Sequence, residues 1–180
     1  MFLRQDLQRA LRRRGLEPSA LGVLPRILLT TNGTVTDILE AYFGEPMVVV
    51  KLHQELLQLK RSIPSLEVKR GEGVLSRKIM LQGEVSRKNF LYAESLIVMS
   101  RLDARMQKGL LGSLKPIGQL LLERHLETFK EIVDCGREPA GGMTDYFKLA
   151  PAARIIFRAY RTIACHRPIM LITEKFPEVF

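Results

Sequence analysis

Arg158-Ala-Tyr-Arg161-Thr-Ile-Ala-Cys165-His-Arg-Pro168-Ile-Met-Leu-Ile-Thr-Glu174-Lys-Phe-Pro177 sets two apolar, β-branched-rich runs on either side of a short turn at Cys165 to Pro168. That pattern predicts a β-hairpin. Strand side chains alternate between faces, so Met170, Ile172, Glu174 and Phe176 point one way and Ile169, Leu171, Thr173 and Lys175 the other. Glu174 therefore falls on the more apolar face. With Ile155 to Ala164 as the partner strand, Ile155, Phe157, Ala159, Arg161 and Ile163 share a face whose one charge is Arg161.

A third strand repeats the feature. In Val74-Leu-Ser-Arg77-Lys-Ile-Met-Leu-Gln82, the row Leu75, Arg77, Ile79 and Leu81 is apolar apart from Arg77. An unpaired ionised group is very costly in a dry core, so Arg77, Arg161 and Glu174 either pair with one another or face a pocket holding a charged ligand. Arg77 has three readings: a buried ion pair, a snorkelling edge residue, or a bidentate clamp for a carboxylate or phosphate. Glu174 is either the partner of one of the arginines or a general base or hydrogen-bond acceptor.

Outward from these strands, residues 1 to 17 read as a short basic amphipathic helix ending at Gly15, or as a solvated terminus. Residues 18 to 26 predict a short helix, 30 to 33 a turn, and 35 to 43 a helix starting at Thr34 or Thr36 and stopping at Gly44. Met47 to His53 reads as a strand, and 60 to 73 as a loop or lid. The Arg77 strand then pairs with one from about Asn89 to Met99. Helices follow at 102 to 111 and 119 to 126, separated by a break over Gly112 to Gly118. The segment 128 to 134 is a further candidate strand, and Gly136 to Gly142 reads as a loop. With 180 residues, 46% of them hydrophobic, the expectation is one α+β domain, an antiparallel sheet of five or six strands with helices on one face.

The net charge of +9 suits an anionic partner. The basic residues are nevertheless spread out, with no block beyond Arg12-Arg13-Arg14, and 8 Phe, 4 Tyr and no Trp offer little stacking platform. Nucleic acid is therefore not the expected ligand, although a steep salt dependence of binding would indicate one. Two cysteines without a CxxC spacing and three isolated histidines argue against a metal site and for a reducing, cytoplasmic setting. No stretch predicts export or a membrane span. No GxGxxG or GxxxxGK[ST] pattern and no nucleophilic triad is present, so no cofactor is expected. The Lys115-Pro-Ile117-Gly118 break is either a helix boundary or a place where backbone N–H groups meet an anion.

Leu75-Ser-Arg77-Lys-Ile-Met-Leu, Lys115-Pro-Ile117-Gly118-Gln-Leu-Leu, the Thr34-Val35-Thr36 helix start and the terminal Tyr160-Arg161 with Arg167-Pro168-Ile-Met-Leu-Ile-Thr173-Glu174-Lys-Phe-Pro together resemble the chorismate pyruvate-lyase family, closest to its archaeal and actinobacterial branch. The likeness runs from about residue 24 to the end, which implies a basic helical extension over 1–23 and a lyase-like domain over 24–180. It implies a six-stranded antiparallel sheet with helical flaps over the ligand. It also implies a cofactor-independent reaction in which chorismate gives 4-hydroxybenzoate and pyruvate. Carried over by position, Arg77 binds the ring carboxylate and Glu174 lies at the 4-hydroxyl end. Val35 and Ile117, with Gly118, give main-chain contacts, and Arg161 is a second candidate cation for the dianion. Aromatisation supplies the driving force, so the protein mainly holds a reactive conformer and handles one proton. Slow release from beneath the flaps implies strong product inhibition, which a 4-hydroxybenzoate dissociation constant weaker than about 1 mM would contradict. The other class of reading is a non-catalytic aromatic-acid sensor of the same fold, as in ligand-binding domains of bacterial regulators. The sequence leaves monomer and dimer equally open.

Overall fold

In the computed structural model, which describes residues 4–112 and 115–180, the β-branched runs build one antiparallel sheet. Its strands are β1 Met47–Gln58, β2 Gly73–Gly83, β3 Asn89–Ile97, β4 Phe129–Pro139, β5 Arg154–Ala164 and β6 Arg167–Pro177, in the order β1-β2-β3-β6-β5-β4. The terminal hairpin forms with a tighter turn than expected. Cys165 and His166 alone turn the chain, at φ of 48° and 61°, and Arg167 and Pro168 already belong to β6. Two successive left-handed residues suit the right-handed twist of the flanking strands.

The helices are α1 Gln5–Arg14, α2 Val23–Thr30, α3 Val35–Phe43, α4 Ala104–Gly112, α5 Ile117–Glu123 and the single turn α6 Thr144–Phe147. The first five bury Leu7, Leu11, Leu28, Leu39, Leu110 and Leu120 on one sheet face, against Ile79, Leu91, Ile156 and Ile172. The opposite face is also covered, contrary to the simplest expectation. Leu59, Leu66 and Val68 pack there on Val74 and Val98, while Phe147 and Ala140 cover Met80, Tyr92 and Ile155. Residues 113 and 114, within the break read between α4 and α5, lie outside the described residues.

The basic helix α1 lies along β4, an edge strand. Arg4 donates to the Lys130 carbonyl at 2.8 Å, Asp6 accepts from the Ile132 amide at 2.7 Å, Arg13 donates to the Val133 carbonyl at 2.7 Å, and Arg14 pairs with Asp134. Edge strands leave a row of unpaired backbone groups, and here the helix supplies their partners through its side chains. This cover also accompanies a correction. Residues 136–139, expected as loop, continue β4 and pair from Gly136 opposite Phe157 to Pro139 opposite Arg154. Proline is tolerated on an edge. A Cβ at Gly136 would be tight, 3.1 Å from the Phe157 ring and 3.3 Å from the Arg14 side chain, so either neighbour would have to shift by a few tenths of an ångström.

Candidate active site

The helix-covered face of the sheet carries the charges. On β2, Leu75, Arg77, Ile79 and Leu81 are all buried in the expected row, and on β6 Met170, Ile172, Glu174 and Phe176 are buried likewise. Cross-strand partners share a face, so Arg77 stands beside Ser95 and Ser95 beside Ile172, while Ile79, Ala93, Glu174 and Arg158 form the neighbouring row. Two strand spacings and a two-residue offset separate Arg77 from Glu174, roughly 12 Å between Cα atoms. Between those rows the sheet forms the floor of a cavity.

Its floor is Ile79, Leu81, Leu91, Ala93, Ser95 and Ile172, with Tyr160, Thr162 and Glu174 at one side. Its roof is made by the starts of two helices: Thr34, Val35 and Thr36 from α3, and Pro116, Ile117 and Gly118 leading into α5. Gly118 eases the approach of these starts, since a Cβ there would meet the Thr34 methyl at a tight 3.1 Å. Lys130 of β4 closes the rim.

Beyond Ser95 and outside the cavity lining, Arg77 is 1% exposed and donates from Nη2 to the Lys115 carbonyl at 3.1 Å. Its Nε and Nη1 are buried and have no partner among the described residues. Burial pulls its pKa below the ordinary arginine value, as expected of a desolvated cation. In the cavity wall, Glu174 accepts from Arg158 Nε at 2.7 Å and from the Tyr160 hydroxyl at 2.9 Å, and Arg158 Nη1 also donates to the Thr31 carbonyl at 2.8 Å. Burial works against the Arg158 charge, but Glu174, with Tyr160, more than offsets it, so its pKa is raised. Burial, reinforced by Glu174, holds the Tyr160 hydroxyl protonated well past its usual range. Thr162 Oγ1 is buried on the cavity wall and lacks a partner among the described residues.

The sequence-derived residues therefore divide. Val35, Ile117, Gly118 and Glu174 line the cavity, whereas Arg77 does not; it is the cross-strand neighbour of Ser95, which does. Arg161 does not join them. It lies on the opposite face, where it binds Glu131 at 2.9 Å, Glu67 at 3.7 Å and the Ser65 carbonyl. The cation facing inward is Arg158. The cause is a one-residue slip: Thr162 pairs with Met170 but Ile163 with Pro168, which leaves Ile169 as an extra residue in β6. A bulge of one residue exchanges the two faces of every partner beyond it. Lys130 was also missed, and Tyr160 was singled out within a motif but given no role. The same corrected register places Tyr160 opposite Ile172, and Lys130 sits in a strand whose alternation is too loose to orient. Among the described residues no group of three or more His, Cys, Asp or Glu side chains is placed to hold a metal ion.

A cavity under two helix starts, with a held carboxylate in its wall and a buried arginine beyond its lining, fits a small-molecule-binding domain. Solved structures share the architecture. The effector domain of PhnF from Mycobacterium smegmatis superposes with a TM-score of 0.61 at 12% identity, covering 81% of this chain and 88% of that one. The C-terminal domain of the histidine utilization repressor from Pseudomonas syringae gives 0.54 at 10% identity, over 73% and 91% of the two chains. At such identities the likeness concerns the fold. The sequence comparisons are more specific. The family model described as chorismate pyruvate-lyase Rv2949c-like matches residues 29–180. A chorismate pyruvate-lyase of Mycobacterium leprae is 36% identical over 153 residues, 84% of this chain and 72% of the relative. One from Mycobacterium tuberculosis is 33% identical over 156 residues, 84% and 78%. This chain belongs to the Rv2949c-like chorismate pyruvate-lyase family.

Proposed function

We propose that this protein is a cofactor-independent chorismate pyruvate-lyase that converts chorismate to 4-hydroxybenzoate and pyruvate. The observation that carries the reading is the placement of charge in and beside one cavity. Arg77, beside the cavity-lining Ser95, has two buried nitrogens without partners among the described residues, and Glu174 in the cavity wall is held by Arg158 and Tyr160. A planar guanidinium matches a carboxylate in two parallel hydrogen bonds, so Arg77 takes the ring carboxylate. The main chains at Val35, Ile117 and Gly118 close over the ring from the two helix starts.

In the elimination the C3–O bond breaks, the hydrogen leaves C4, and the methylene carbon of the departing enolpyruvyl group becomes the pyruvate methyl. Both Glu174 oxygens already accept from fixed donors, and a carboxylate has about four lone-pair sites, so acceptor capacity remains for the 4-hydroxyl. This arrangement supports Glu174 as the group that orients the substrate while the C4 hydrogen passes to the enolpyruvyl carbon, over a role as proton abstractor. The apolar floor excludes water from the developing ring. No helix among the described residues is long and apolar enough to cross a membrane, and Cys135 and Cys165 are free thiols, which supports action in the cytoplasm.

The test is purified protein mixed with chorismate, without added metal or cofactor. Equal amounts of 4-hydroxybenzoate and pyruvate are expected. Unchanged chorismate together with tight binding of 4-hydroxybenzoate would replace the lyase by the sensor reading, for which the regulator-like fold gives precedent.

A further inference from the structure

Chorismate carries a second carboxylate, on the enolpyruvyl group, which 4-hydroxybenzoate lacks. Arg77 stands with the ring-carboxylate end, Arg158 is committed to Glu174 and Thr31, and Arg161 faces away. Among the described residues lining the cavity, Lys130 is the one cation. Its ammonium donates to the Gly33 carbonyl at 3.0 Å and sits 5.3 Å from the centre of the Tyr160 ring. No carboxylate among the described residues stands within ion-pair distance of it. An ammonium has three donors, so the carbonyl leaves capacity for a ligand.

We propose that Lys130 binds the enolpyruvyl carboxylate of chorismate, and so separates substrate from aromatic product in the same cavity. The inference rests on the lyase reading and extends it. Three further observations fit. Lys130 pairs with Thr162 in the β4–β5 ladder, and the unpartnered Thr162 hydroxyl on the cavity wall is a second donor for the same group. The Gly33 contact ties Lys130 to the loop that leads into the Thr34–Thr36 roof. Burial lowers the Lys130 pKa, Glu174 opposing and Arg158 and Arg4 assisting the shift, as for a cation awaiting a counter-ion. Once the C3–O bond breaks, the same ammonium holds pyruvate alone, and the ring product loses that anchor.

The roles divide measurably. Lys130→Met is expected to raise KM for chorismate about tenfold or more while changing the dissociation constant of 4-hydroxybenzoate less than about twofold, because one charged contact to one ligand is lost. Lys130→Arg restores most of the loss. In the wild type, KM rises as pH climbs through the lowered lysine pKa, and that limb is absent from Lys130→Met. A residue needed only for folding would weaken both ligands together and would not be rescued by arginine with the pH limb intact.

The experiment is steady-state turnover of chorismate by wild type and both variants across alkaline pH, beside calorimetric titration of each protein with 4-hydroxybenzoate and with chorismate. A selective loss for chorismate supports the proposal. Equal loss for both ligands, or no loss for either, overturns it. If wild type binds chorismate without consuming it, the lyase reading fails, and the chorismate titrations still judge Lys130 on the same criterion.

Discussion

The two faces of the sheet treat charge in opposite ways. On the face away from α1 to α5, cations are matched by acids at the surface: Arg161 with Glu131 at 2.9 Å, Lys175 with Glu138 at 2.8 Å, Lys78 with Glu94 at 3.7 Å. On the helix-covered face Arg158 pairs with Glu174 and Arg137, opposite Ile156, pairs with Glu178, while Arg77 and Lys130 have no carboxylate partner among the described residues. Surface pairs contribute little to stability. Buried charges are the reverse, expensive when unmatched and sustained only by what they bind. Arg77 and Lys130, the two cations left without a carboxylate, both lie on the helix-covered face, whereas the opposite face, itself partly covered by apolar residues, balances these charges internally.

The largest effect follows from removing the acid paired with Arg158. Glu174→Ala strands the Arg158 guanidinium at 1% exposure, and should lower stability by about 3–5 kcal/mol together with turnover, read by denaturant unfolding and product formation. An unchanged unfolding midpoint would mean that Arg158 finds another partner and that the face is not dry. Arg77 should behave in the opposite sense. Because its charge lacks a counter-ion, Arg77→Met is expected to stabilise the ligand-free protein by about 1 kcal/mol or more while weakening 4-hydroxybenzoate about a hundredfold. Thermal unfolding with and without 4-hydroxybenzoate separates the two contributions. If the variant loses stability as well, Arg77 is part of the frame and not a site held open at a cost.

A smaller effect is expected of Tyr160→Phe, which removes one of the two donors on Glu174 at about 1–2 kcal/mol and slows turnover without abolishing it. At the bottom of the scale is Arg161→Ala. On the matched face it should cost less than about 1 kcal/mol and leave KM and kcat for chorismate unchanged.

Much of this contrast was readable in the amino-acid pattern, and the unread part has a specific cause. The β2 row and the β6 row each hold one charge among bulky apolar residues, and strand periodicity alone put Arg77 and Glu174 inward. β5 offers no such contrast. Ile155 and Phe157 on one face are as buried as Ile156 and Tyr160 on the other, because both sides of the sheet are covered at that point. Hydrophobicity could not choose between Arg158 and Arg161, and the choice was made by Ile169, one extra residue in β6 that no composition signal betrays. Lys130 was hidden for a related reason. The order of β4 comes from its ladder to β5 and from α1, whose side chains bind its backbone from more than a hundred residues away in sequence, rather than from its own weak alternation. The helix starts at Val35 and Ile117 were legible as starts, while their meeting over the sheet through Gly118 and Thr34 is a tertiary fact.

The most direct measurement sets the two arginines against each other: chorismate turnover by wild type, Arg77→Met and Arg161→Ala, with 4-hydroxybenzoate and pyruvate counted separately. The account predicts equal products from wild type and Arg161→Ala at matching kcat/KM, and a fall of about a hundredfold or more for Arg77→Met. Turnover that survives in Arg77→Met, or that is lost in Arg161→Ala, would contradict it.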